Sequence, residues 1–418
     1  MALSATVVTS QARVLPRAAL VRDTLPWLVP EVVCDSSFAS RKVVYTMTNT
    51  VPNSIVAMAA SADGSLYAES ILTATGGNGG NLINPMTGEP DRPDALSSQD
   101  SVVVAGDIFV ANAPQFLFNV NAGSNSVSMF AIDPWNPLKP MLLASRSSVG
   151  DFPVSVAVSM KHKIVCVANT GINAGVSCAS LDPTCGMNEF DALRRFNVGQ
   201  TQNPPTGPTP GVGDIIFNAD ESEVIVFAKG NGRDIPGFVE KYTVLQNGSV
   251  SQQGQQYKPP GLGAEFGSAV IPWSGDYVVS SQANFGAVVL DLNDLTAEPK
   301  AKTNVTDQKA SCWAQVSSFT GTAFITDAAL NRLVETNLTT GEIVSEYSPP
   351  NDNPAMTDFR ASGSKMWFLA AGNGTTPASI CTIDVSGGPK SAMQIQNIAI
   401  PGADANAQGL AVYEKWWM

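Results

Sequence analysis

A single histidine in 418 residues leaves few routes to proton-transfer chemistry. That residue, His162, stands between Lys161 and Lys163 in PVSVAVSMKHKIVCVANTG, where two alternating apolar runs flank a short polar turn. One imidazole excludes a zinc site built from two or three histidines. Any Ser-His-Asp or Cys-His arrangement would have to use His162. A turn joining two strands faces water on the rim of a sheet, so His162 is expected to be exposed and outside any site.

Cysteine chemistry is equally constrained. Six cysteines occur, Cys34, Cys166, Cys178, Cys185, Cys312 and Cys381. Cys166 and Cys178 flank ANTGINAGVS almost symmetrically, which places them opposite each other on adjacent strands as a disulfide or as two buried thiols. A catalytic thiolate needs an activating base, and none accompanies Cys312. No phosphate-binding glycine loop, EF-hand loop or zincin helix is present, and GGNGGN at 76–81 lacks the strand-to-helix setting of a phosphate site. The sequence therefore calls for no metal and no cofactor.

The flanks of His162 belong to a recurring unit, and a repeat decides architecture before any single motif does. Copies of strand, polar turn, apolar strand, turn and third strand begin at Val43, Phe116, Ser155, Asp214, Ser268, Cys312 and Thr357. The turns after the second strand fall near Asn121, Asn169, Gly230, Gln282, Asp327 and Gly372. The pattern has period two, with β-branched and aromatic residues and Gly, Asn or Asp at the turns. A small sheet buries neither face alone, so such units must stack around an axis, which also shields their edges. The expected fold is all-β, a seven-bladed β-propeller in one domain, with its blades over residues 40–415. The lone strand at 409–417 is expected to close the ring by pairing within the first blade. Two Gly-, Asn- and Pro-rich insertions, 70–99 and 183–213, are expected as long loops that cover or rim one face.

In a propeller the loops feeding the innermost strands line the mouth of the central pocket. Here they read SSQDS, VGDFP, GVGDI, AEFGS, ASCWAQ, AMTDFR and ADANAQG. They bring Asp100, Asp151, Asp214 and Asp404 to the mouth, together with three candidates for catalysis, Glu265, Asp358 and Arg360. The candidates for substrate binding are Gln99, Phe152, Phe266, Cys312, Trp313, Met356, Asn406 and Gln408. Carboxylates and amides mixed with aromatic surface suit a neutral or weakly polar organic ligand. An axis filled by side chains would remove that role.

Composition sets the outer limits. Hydrophobic residues make up 44% and charged residues 14%, enough apolar matter for a large core. The net charge of −12 supplies no basic field to attract nucleic acid or an anionic membrane. No apolar run is long enough to span a bilayer as a helix. Sequons at Asn247, Asn304, Asn337 and Asn373, the cysteines and the acidic balance lean towards a secretory-pathway protein and glycosylation at those four sites.

The units PVSVAVSMKHKIVCVANTGINAGVSCASLD, NVNAGSNSVSMFAID and ASCWAQVSSFTGTAFITDAALNRLVE resemble the fungal secreted proteins described as 3-carboxymuconate-cyclase-like. These sit in the lactonase superfamily of seven-bladed propellers, and the resemblance spans roughly residues 40–415. It implies an axial pocket in which lactonising members use His, Arg and Glu groups. The matching positions here carry no histidine and one arginine, Arg360, which disfavours a tri-anionic muconate. Some similar fungal propellers are pericyclases that couple a tropolone-derived o-quinone methide to a humulene-type terpene by hetero-Diels–Alder addition. The resemblance implies that chemistry here, with Phe152, Phe266 and Trp313 as walls and Glu265 or Asp358 assisting the dehydration that forms the quinone methide. Lactone hydrolysis and a non-catalytic secreted glycoprotein are the alternative readings.

Overall fold

The computed structural model describes residues 42–106, 114–182, 186–231 and 233–415, and Cys34 and Cys185 lie outside them. The strands form seven antiparallel sheets, one per repeat, arranged as a β-propeller. Alternation puts β-branched and aromatic side chains on both faces of each sheet, and both faces are covered by the neighbouring sheets. Ile225 and Phe227 of blade 4, for example, pack with Val278, Val288 and Leu290 of blade 5 in one buried cluster. Each such side chain contributes about 1.5–3 kcal/mol when taken from water.

The innermost strands of blades 1 to 7 are Gln408–Glu414, Val102–Ala105, Pro153–Ser159, Gly211–Phe217, Glu265–Val270, Ser311–Ser317 and Asp358–Ser362. The ring closes as the sequence suggests. Gln408–Glu414 lies inside blade 1 and pairs antiparallel with Lys42–Met47, Val43 opposite Tyr413 and Tyr45 opposite Ala411. The repeats beginning at Val43 and Phe116 start one strand late. Both residues lie on second strands, because blade 1 takes its inner strand from the far end of the chain and that of blade 2 is only four residues long. Cys166 and Cys178 face each other across blade 3 and form a disulfide.

Both insertions are shorter than expected, since Ile71–Ala74 completes blade 1 and 211–213 opens blade 4. What remains of them meets over one face. The Ile83 N–H donates to the Pro205 carbonyl at 2.8 Å, and the Gly207 N–H donates to the Ile83 carbonyl at 3.0 Å.

The end of the first insertion turns into the axis. Ser97, Ser98, Gln99 and Ser101 are buried there, Asp100 is half-buried, and the segment bonds to every blade. The Gln408 amide of blade 1 donates to the Ser98 carbonyl at 3.4 Å, and in blade 2 the Val120 N–H donates to the Ser101 carbonyl at 3.1 Å. In blade 3 the Ser98 hydroxyl donates to the Val154 carbonyl (2.8 Å), and the Val156 N–H donates to the Asp100 carbonyl (2.9 Å). The Gln99 N–H donates to Gly213 of blade 4 at 2.9 Å. Its side-chain amide reaches the Ser268 carbonyl of blade 5 at 2.7 Å and accepts from the Ala314 N–H of blade 6 at 3.1 Å. Arg360 of blade 7 pairs with Asp100. A Cβ at position 267 would collide with Gln99 Oε1, so glycine is required where this side chain crosses. Removing the side chain strands buried polar groups on two blades. Gln99→Ala is expected to lower stability by about 2–5 kcal/mol, read as a fall in the urea midpoint with unchanged slope.

Candidate functional site

The axial segment divides the channel into two blind ends. A site running along the axis is thereby excluded, and the mouth lies above the segment, off the axis and over blades 4 to 7. It is a cavity of about 610 Å³, within the range of small-molecule sites. Pro93 and Asp94 from the first insertion and Pro208 and Thr209 from the second wall one side, so the two insertions serve as its rim. Ala264, Phe266, Ala283, Ala310, Cys312, Ala328 and Ala355 supply apolar surface, and Asp91, Asn231, Asn284 and Lys309 supply polar groups.

Of the sequence-derived candidates, the fold brings Phe266 and Cys312 to this cavity. Trp313 has no exposed surface and stands behind Phe266, the two rings edge to face at 5.7 Å. Met356 is buried between the lining residues Ala355 and Thr357. Phe152 packs against the main chain of Gly80 between blades 2 and 3, away from the cavity. Asn406 holds the first insertion by accepting from Arg92 Nε at 2.9 Å and Asn81 Nδ2 at 3.0 Å, and Asp404 orients Asn406. Asp151 ties the second insertion by accepting from Asn203 Nδ2 and holds the turn at Asn173 in the same way.

Of the three catalytic candidates, Asp358 and Arg360 pair with each other and Glu265 stands apart. Glu265 is fully buried, its carboxyl packed on Gly237 with neither oxygen hydrogen-bonded. Asp358 and Arg360 lie below the axial segment, 3.0 Å apart. Burial raises the Asp358 carboxyl and lowers Arg360 to about 10, which leaves the guanidinium charged at neutral pH. Asp214 sits at mid-axis, where burial lifts it to about 7 against hydrogen bonds from Ser268, Ser155 and Ile215. His162 is on the opposite face and half-buried rather than exposed, its N–H donating to the Ser159 hydroxyl. Among the described residues no group of three or more His, Cys, Asp or Glu side chains is placed to hold a metal ion.

Two residues that sequence reasoning passed over govern the mouth. Asp94 lines the cavity, and both of its hydrogen bonds, from Gln408 Nε2 at 2.9 Å and the Ser97 N–H at 3.0 Å, fall on Oδ1. Oδ2 is left for a ligand. Burial lifts this carboxyl to about 7, opposed by Gln408 and by the charge of Lys229. Lys229 ends the second strand of blade 4, donates to the Ser97 carbonyl, and holds its ammonium 4.5 Å from the centre of the Phe266 ring. Burial lowers it to about 8. The signal for Lys229 was positional, because the second strands of blades 2, 3, 5 and 6 end in Asn121, Asn169, Gln282 and Asp327. A lysine closing the apolar run EVIVFAK departs from that series. Asp94 lies in a non-repeating loop and carries no such signal. The Cys312 thiol is pushed up by burial and stays protonated, so it acts as wall rather than nucleophile.

No family model matches the chain, and no curated protein matches its sequence. Solved structures do match its fold. A Lactobacillus plantarum protein is similar with a TM-score of 0.64 and 13% identity, over 90% of this chain and 99% of the other. A Bacteroides fragilis protein provisionally named a 6-phosphogluconolactonase has a TM-score of 0.60 and 13% identity, covering 89% and 98%. The periplasmic gluconolactonase of Pseudomonas aeruginosa has a TM-score of 0.59 and 12% identity, also covering 89% and 98%. The chain shares the fold of these proteins. At such identities the likeness is one of fold alone.

Burial raises Glu265 to about 7, so the folded protein keeps a proton that the unfolded chain releases near 4.5. The sign follows: this group favours folding below about pH 4.5 and costs stability as pH rises through 7. Glu265→Gln is expected to match the parent at pH 4 and to exceed it by about 3 kcal/mol at pH 8, measured by chemical denaturation at both values.

Proposed function

We propose that the mouth cavity is the substrate site of a pericyclase, which couples a tropolone-derived o-quinone methide to a humulene-type terpene by hetero-Diels–Alder addition. The observation that carries the reading is the carboxyl of Asp94, which lines a largely apolar, histidine-free and blind site next to Asp91 and keeps one oxygen clear of the hydrogen bonds from Gln408 and Ser97. With a pKa near 7 it is part-protonated at neutral pH. It donates its proton to the hydroxyl leaving a carbinol precursor, the C–O bond breaks, and water departs. The resulting carboxylate takes the proton of the neighbouring enol oxygen, which leaves the quinone methide and restores the acid. The cycloaddition then moves no proton. Holding diene and alkene in one pose supplies up to about 7–11 kcal/mol, and Phe266 with the alanine wall defines that pose. The dehydration role thus passes from Glu265 and Asp358 to Asp94, and the aromatic wall is reduced to Phe266.

A second reading, lactone hydrolysis, is favoured by the same carboxyl acting as base on water and by the gluconolactonase among the similar structures. Gluconolactone turnover that is lost in Asp94→Asn would select it.

Secretion is proposed alongside. The Cys166–Cys178 disulfide suits an oxidising compartment. Among the sequon asparagines Asn247, Asn304 and Asn373 are exposed and Asn337 half-exposed. A mass shift on glycosidase treatment of the protein from its source is the corresponding check.

Asp94→Asn is expected to slow coupling from the carbinol by about 10²–10⁴-fold, while the product ratio from a preformed quinone methide stays the same. Phe266→Ala should do the reverse, scrambling stereochemistry at a smaller cost in rate. Chromatography of products from both precursors distinguishes the two effects.

A further inference from the structure

Below the axial segment the channel reopens on the opposite face, where cavities of about 510 and 470 Å³ share Asp100, Val103 and Arg360. All seven blades contribute to this vestibule. Val412, Val103, Val158, Ile216, Val270 and Val316 come from blades 1 to 6, and Arg360 from blade 7. Six blades thus present a β-branched aliphatic side chain and the seventh an arginine. A sheet needs no arginine there. Its guanidinium folds inward onto Asp100, with Nη1 3.0 Å from Asp358 and 2.8 Å from the Phe359 carbonyl. Asp358 is fully buried, but the Arg360 and Asp100 side chains keep 17% and 18% of their surface exposed, so a molecule in the vestibule meets both. Trp273 and Phe319, each about half exposed, stand on the turns that follow the inner strands of blades 5 and 6.

We propose that this vestibule is a second small-molecule site, separate from the mouth, for a neutral apolar molecule bearing one hydroxyl group. The ring of aliphatic side chains selects an apolar body. The floor offers an N–H donor and a carboxylate acceptor side by side. A hydroxyl satisfies both, accepting from Arg360 and donating to Asp100, without bringing a charge that must lose its water. An anion would face Asp100 and Glu221, which also lines the vestibule. A bare hydrocarbon would leave the floor unsolvated.

The test is a fluorescence titration of the whole protein with 2-naphthol, 2-naphthoate and naphthalene. Saturable 1:1 binding of 2-naphthol, at least tenfold tighter than either analogue, is expected. Val316→Trp fills the vestibule and should weaken 2-naphthol binding at least tenfold. Ala329→Trp, at the exposed edge of the mouth, should leave it unchanged. Arg360→Met should erase the preference for 2-naphthol over naphthalene, and Val316→Trp carries the test if that variant does not fold. The proposal is overturned if 2-naphthol fails to saturate, if naphthoate binds as well, or if Ala329→Trp rather than Val316→Trp abolishes binding. None of these outcomes bears on catalysis at the mouth, which is read separately through Asp94→Asn.

Discussion

The hydrogen bonds made by residues 97–101 at the axis are the constraint on which the rest of the structure depends. A ring of seven sheets packs only neighbour against neighbour, so its centre is the one place where all blades can be tied to a common part. Here that part is one segment, whose main chain meets blades 1 to 4 and whose Gln99 and Asp100 side chains meet blades 5 to 7. Buried backbone must find partners, and the spacing of the inner strands supplies them in turn. Gln99 shows how tightly the fit is drawn, since its side chain spans two blades and requires a glycine at 267.

The same segment places the chemistry. Ser97 gives its carbonyl to Lys229 and its N–H to Asp94, so one residue fixes both the buried cation and the cavity-facing carboxyl. Three positions further on, Asp100 anchors Arg360 on the other side. Burial raises the Asp94 carboxyl to about 7 and lowers the Lys229 ammonium to about 8. On the proposed function, the Asp94 carboxyl does the proton work that histidine does elsewhere. His162 stands on the opposite face and takes no part.

Much of the fold was legible because blade structure is local and periodic. The alternation in VSVAVS and IVCVAN, the turn residues after each second strand, and the mutual spacing of Cys166 and Cys178 follow from strand geometry that each repeat specifies alone. The closing strand was legible for the same reason, as an apolar alternating run without a sheet of its own. The site was less so. Loop residues next to inner strands were counted together, yet the strands' bulges turn Phe266 and Cys312 to the cavity and Glu265 and Trp313 away from it. Asp94 depends on an insertion whose path into the axis is set by partners on other blades, which no local pattern encodes. Lys229 could have been found by comparing strand ends across the repeats.

The axial segment also imposes an order of assembly. It leaves the ribosome before blades 3 to 7, to whose inner strands it bonds, while the innermost strand of blade 1 follows all of them. During synthesis the first blade must therefore wait with an open inner edge, and unpaired edges invite pairing with other chains. Later blades collect around a core element that is already present, like staves set about a hub, and the last strand locks the circle. The polar residues of 97–101 suit that interval, since Ser97, Ser98, Gln99, Asp100 and Ser101 remain soluble until their partners arrive.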